Sequence, residues 1–269
     1  MKPSRLRATL TGVALAPILA WTLFPIYWIA TASFKTELAL YAKPPQWLFA
    51  PILDNYTRVL TNIPFFQYLK NSLVVAMGTT LGSLVLGTLA GYGFARFRFR
   101  ASEAVRFLVL VTRMAPRMVL VVPYFLVMQR LGLLDTYTGL LVAYVSFALP
   151  FSIWLLIGFF VDVPLDVEEA GMIDGCSRLR VLWRIVIPIA APGLVVAAIF
   201  AFLVSWNEFL FALILTGQRT PVITVVMAQF VSEMGLQWNL MSATAVMALG
   251  PAFVLTLFGQ KYVVRGLRI

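Results

Sequence analysis

Side chains equipped for chemistry are few in this 269-residue sequence, and they gather in a few places. Asp162, Asp166, Glu168, Glu169 and Asp174 crowd one short segment, followed by Arg178, Arg180 and Arg184. Ser205-Trp206-Asn207-Glu208 forms a polar cluster inside an apolar stretch, and Arg113 and Arg117 interrupt another. There is no His and a single Cys, Cys176, so neither a disulfide framework nor a His/Cys metal cluster can be assembled. No Gly-rich loop ending in Gly-Lys-Ser/Thr is present to cradle phosphates. Carboxylates without these partners argue against a membrane-embedded enzyme such as a lipid transferase. No catalytic residue, metal or cofactor is assigned. What such residues can do is dock a partner or line a polar path.

The elements that must position them are apolar. Hydrophobic residues make up 61% of the chain and charged residues 12%, about half the share usual in a soluble domain. Mean hydropathy is +0.90. A bilayer core needs roughly 20 apolar residues in a helix. Stretches of that order place spans at about 10–34, 71–95, 104–128, 136–161, 185–215 and 241–262. The expected fold is therefore all-α: a polytopic membrane bundle of about six helices forming one transmembrane domain over 1–269. The first span follows Lys2, Arg5 and Arg7 but is too long for a secretory core, and reads as an uncleaved anchor. Gly78, Gly82, Gly87 and Gly91 form a row of small residues that lets another helix approach, within this chain or across a subunit interface.

Basic residues set the orientation. With both termini in the cytoplasm, thirteen Lys and Arg fall inside and six outside, and the inverted arrangement exchanges these numbers. The excess of basic residues on cytoplasmic loops favours the first arrangement. It also accounts for the net charge of +10 without nucleic acid, since the basic residues are scattered among spans. Residues 35–70 become a long outer segment, an interfacial or re-entrant cap, and 216–240 a second one. Residues 162–184 become the long cytoplasmic loop.

That loop is acidic where other inner segments are basic. An acidic helix beside an anionic leaflet is misplaced unless it faces a protein, although an amphipathic connector lying on the membrane remains an alternative. Pro164 suits a helix start, with Asp166, Glu168 and Glu169 near the positive end of the helix dipole. Ala170 and Gly171 are small enough to sit in another protein's cleft. Gly175 permits a sharp turn, and Ser177 can cap a second helix. The run Glu169-Ala170-Gly171-x-x-Asp174-Gly175, then Ile185-x-Ile187-Pro188, resembles the coupling-loop signature of binding-protein-dependent ABC importer permeases. Gly171 and Ile187 stand where that family usually has Ala and Leu. Leu131–Tyr137, Trp206-Asn207-Glu208-Phe209 and Tyr262–Leu267 extend the resemblance to the carbohydrate branch over nearly the whole chain.

The resemblance implies a type I permease fold in a bacterial inner membrane, without catalysis of its own. It implies a second, related permease subunit, two ATP-binding subunits and an extracytoplasmic solute-binding protein that delivers a sugar. Asp166, Glu168, Glu169, Ala170, Gly171, Asp174 and Gly175 would form the ATPase-coupling loop, with Glu169 meeting a basic residue of the ATPase. Trp206, Asn207, Glu208, Arg117 and Arg113 are candidates for the substrate path, since ionisable groups within spans face cavities or partners. Counted along helices rising from the cytoplasmic side, Arg117 and Glu208 lie at similar depths, about 20 Å up. Helix-to-helix hydrogen bonding is the competing role for the 205–208 cluster. A polyol or glycerol phosphate is the alternative cargo, and a channel or secondary transporter the alternative class.

Overall fold

The computed structural model describes residues 5–232 and 235–266, with side chains from 13 to 231 and from 236 to 260. Glu233, Met234, Leu267, the terminal basic side chains and those of Tyr262–Gly266 lie outside these residues. In chain order the helices are α1 (Arg5–Ala32), α2 (Glu37–Tyr41), α3 (Asp54–Asn62), α4 (Phe65–Arg96), α5 (Ser102–Thr112), α6 (Arg117–Arg130) and α7 (Tyr137–Val161). They continue with α8 (Leu165–Ile173), α9 (Arg178–Val181), a π-helical turn (Leu182–Val186), α10 (Ile187–Ile189), α11 (Ala191–Trp206), α12 (Leu210–Leu215), α13 (Ile223–Ala228) and α14 (Trp238–Gly266). A two-residue hairpin, β1 (Val231–Ser232) with β2 (Gly235–Leu236), precedes α14. Among the described residues four helices are long and apolar enough to cross a membrane, and five if the bent pair 178–189 and 191–206 is one span.

The chain divides into two compact units, residues 1–66 with 227–250 and residues 67–226 with 251–269. In the first, no residue in the apolar window of α1 is buried by its own chain. The segment that follows α1 is held by a polar knot. Buried Asn55 donates to the carbonyls of Ser33 and Lys35 and accepts from Asn239 Nδ2 at 2.8 Å. The buried Lys35 amine, with no carboxylate beside it among the described residues, donates to the Gln46 carbonyl and lies against the Trp28 and Phe49 rings. Such partners offset the hydration that burial removes.

In the second unit α7 is the spine. Thr136 starts it by accepting from the Gly139 amide. The glycine row of α4 lies along it: a Cβ at Gly78 would meet Leu141, at Gly82 Val145, at Gly87 Ser152 and at Gly91 Leu156. Those glycines therefore serve packing within the chain. One core joins Leu140, Ala143 and Tyr144 to Val121, Met128, Phe211 and Leu215. A second joins Leu156 and Phe160 to Val163, Val181, Leu182 and Val186, directly under the acidic loop.

Two expected spans need correction. The stretch 104–128 is not one helix: α5 ends at Thr112 and α6 begins at Arg117. Pro116, at ψ 123°, supplies no amide to the preceding turn and disfavours helical backbone at Ala115. The stretch 185–215 is also divided. Residues 178–189 meet α11 at 82°, so 185–189 belong to an arm bent away from the span. Pro188 and Pro192 remove two amides at that corner, and the π-helical turn precedes it.

Candidate functional site

The acidic loop is fastened to the rest of its unit by one buried ion pair. Glu168, 3% exposed, accepts from Arg96 Nε at 2.7 Å and from the Tyr92 hydroxyl at 2.8 Å. A second Arg96 nitrogen donates to the Val163 carbonyl at 2.6 Å, so the last turn of α4 holds both α8 and the chain just before it. Burial without water raises the cost of losing either partner. Gly171 is buried as well, with Ile185 and Val181 where a Cβ would stand. Two of the residues assigned to partner docking, Glu168 and Gly171, thus face their own chain. Asp166, Glu169, Ala170, Ile173 and Asp174 form the outward surface. Gly175, at φ +81°, makes the turn that only glycine adopts without strain, and Ser177 caps α9 by accepting from the Arg180 amide.

Around the break between α5 and α6 a second polar group assembles. Arg117 Nη1 donates to Glu208 Oε2 at 2.6 Å. Glu208 is buried; its other oxygen accepts from the Phe211 amide at 3.1 Å, and its carbonyl accepts from Thr224. The carboxylate therefore closes the gap between α11 and α12 while holding a guanidinium. Arg113 lies in the break rather than one turn below Arg117 on a shared helix face. The two guanidiniums lie instead over Phe151 and Phe147, one turn apart on α7, at 4.8 and 5.4 Å. Asn207 is exposed, its amide donating to the Leu203 carbonyl. Trp206 is buried, stacked on Phe202 at 5.3 Å and packed beside Ala76.

A third residue escaped the sequence reading as a site. Asp135, at φ +53°, accepts from the amides of Gly217, Arg219 and Thr220 and from the Thr220 hydroxyl. Its own amide donates to the Leu215 carbonyl at 2.8 Å. Burial alone raises the carboxyl pKa, but the hydrogen bonds to Arg219, Gly217 and Thr220 outweigh it and bring it down to about 2. One carboxylate thus shapes the turn after α12. The only signal was an Asp between Leu131-Gly132-Leu133-Leu134 and Thr136; most of its partners are backbone amides, which a sequence does not distinguish.

Among the described residues no group of three or more His, Cys, Asp or Glu is placed to hold a metal ion. Several membrane-length helices, an acidic helix pinned at the end of one of them and charged groups paired inside the bundle define a multi-pass membrane protein of the transport kind. Residues 83–269 match the family of binding-protein-dependent transport system inner membrane components, and the chain belongs to that family. The sulfoquinovosyl glycerol transport system permease of Agrobacterium fabrum is 35% identical over 259 residues, covering 95% of this chain and 90% of its own. The trehalose/maltose transport system permease of Thermococcus litoralis is 36% identical over 255 residues, covering 91% and 89%. The fold is that of a chain in a bacterial ABC transporter involved in import of the acidic polysaccharide alginate, with TM-score 0.78 at 23% identity, covering 97% of this chain and 99% of that one.

Proposed function

We propose that this chain is the permease subunit of an ATP-driven importer that moves a carbohydrate across the inner membrane. A solute-binding protein on the outer side delivers the sugar, and a second, related permease completes the path. Two ATPase subunits grip the cytoplasmic loop, and both termini lie in the cytoplasm. Alternating access follows from moving the helices attached to that loop. Relatives named for sulfoquinovosyl glycerol and for trehalose and maltose support a sugar as cargo.

The observation that carries this reading is the division of labour in the acidic helix. Glu168 faces inward and ties α8 to α4, whereas Asp166, Glu169 and Asp174 face outward with no ion partner among the described residues. An outward acidic face on a helix fixed by a buried pair is what a basic cleft of another protein can push against without the loop yielding. A channel or secondary transporter has no use for it. Affinity purification of the tagged chain from its own host supplies the test. The account expects two ATP-hydrolysing subunits and a second permease to co-purify, and to be lost when Glu169 becomes Lys. Recovery of the chain alone from mild detergent would contradict it.

A further inference from the structure

The break in the third span opens a small cavity of about 70 Å³, lined by Arg113, Arg117, Ser146, Thr112, Phe147 and Pro150. Its polar groups do not balance. Among the described residues Glu208 is the only carboxylate paired there; one oxygen is taken by Arg117 and the other by the Phe211 amide. Among the described residues Arg113 has no carboxylate within ion-pair reach, only the Phe151 ring beneath it. Arg117 donates to Glu208 through one nitrogen and keeps 45% of its side chain exposed, so its remaining donors are free for a ligand. The 14-residue α6 starts at the same place, where helix geometry leaves the Arg117 and Met118 amides without intrahelical acceptors. The Ser146 hydroxyl, bonded to Tyr124, completes the lining.

Depth makes the surplus charge informative. From Ser102 to Arg113 the chain rises about 16 Å at 1.5 Å per residue, near the middle of a hydrocarbon core of about 30 Å. An uncompensated guanidinium there is costly and is retained where it meets water or an anion. Size narrows the ligand. The cavity has room for a few waters, at roughly 10–15 Å³ each, and not for a pyranose ring. A carboxylate, sulfonate or phosphate substituent fits, with the ring left outside. Planar, multidonor guanidiniums are suited to all three groups.

We propose that this cavity is a subsite for an anionic substituent of the transported carbohydrate, with Arg113 its principal ligand and Arg117, held by Glu208, its second. The inference rests on the importer reading and names the class of sugar: an acidic one. The test is uptake in cells carrying the complete importer, set against cells lacking this chain, with ring-matched labelled sugars. Methyl glucoside, methyl glucuronide, glucose 6-phosphate and a 6-sulfonated glucoside, with the corresponding disaccharides, form the set. The expected result is at least tenfold preference for charged members. Arg113→Gln lowers that uptake at least tenfold while the ATPase still co-purifies, and Arg113→Lys stays within about threefold of the parent. A neutral sugar as the accumulated solute overturns the subsite and leaves the importer standing. So does full anionic uptake with Arg113→Gln, which would assign the Arg113 charge to a carboxylate of the sister permease. Absence of ATP-driven uptake of any sugar contradicts the importer reading itself.

Discussion

Glu168 and Glu169 are adjacent in sequence and opposite in surroundings, and they separate stability from coupling. Losing one member of a buried pair costs about 3–5 kcal/mol, because the other charge is left without a partner. Glu168→Ala should therefore lower the unfolding temperature of the detergent-solubilised protein. Glu169→Lys, on the exposed face, should leave that temperature unchanged. Equal behaviour of the two variants would refute the assignment of inner and outer faces. Asp135 gives a test in pH. Its depressed pKa means that the folded state holds the ionised form more tightly than the unfolded state does. The stability it contributes is fully present above about pH 4 and is lost as pH falls to about 2. Asp135→Asn should be less stable than the parent at pH 7, and the gap should close as both are unfolded at successively lower pH between 4 and 2. A gap independent of pH would sink the clamp. Neither residue's surroundings were legible beforehand. The helical phase that turns Glu168 inward depends on Arg96, 72 residues away, and Asp135 is held mostly by backbone amides more than 80 residues away.

Helices were far more legible than their interruptions. Hydropathy located α1, α4, α7 and α14 because each is a long charge-poor run that needs no partner to be recognised. It merged α5 with α6 and attached 185–189 to α11 because averaging over a window takes no account of an amide missing at Pro116 or Pro188. The Arg117–Glu208 pair was within reach of simple counting, since both residues sit at comparable rises along neighbouring elements. Trp206 was less legible: an aromatic ring suits a sugar and a core equally well, and the packing on Phe202 cannot be read from the sequence. The packing of α4 on α7 makes its own prediction. Gly87→Val, whose Cβ meets Ser152 at 3.1 Å before any further atom is added, should destabilise by about 1–3 kcal/mol. Gly93→Ala, with nothing within 4 Å, should be neutral or slightly stabilising. Thermal unfolding of the two variants in one detergent checks the pair; comparable losses would mean that α4 does not lie on α7 by its glycine row.

Across the entire chain, fold class and family were both readable before any coordinate, because composition and one spaced acidic motif carry them. Residues 162–184 and 216–232 belong on opposite sides of the membrane in this account. Single cysteines at 166–177 and at 217–232, in a Cys176-free protein, should therefore show opposite reactivity toward an impermeant thiol reagent in intact cells. The measurement that bears most directly on the central claim is uptake by the reassembled importer. With both permeases, the ATPase and the binding protein in proteoliposomes, sugar accumulation should require ATP hydrolysis on the cytoplasmic side and loaded binding protein on the other. Glu169→Lys should reduce that accumulation at least tenfold while this chain still inserts and folds. Accumulation that proceeds without ATP, or that is indifferent to Glu169→Lys, would contradict a role as the coupled permease subunit.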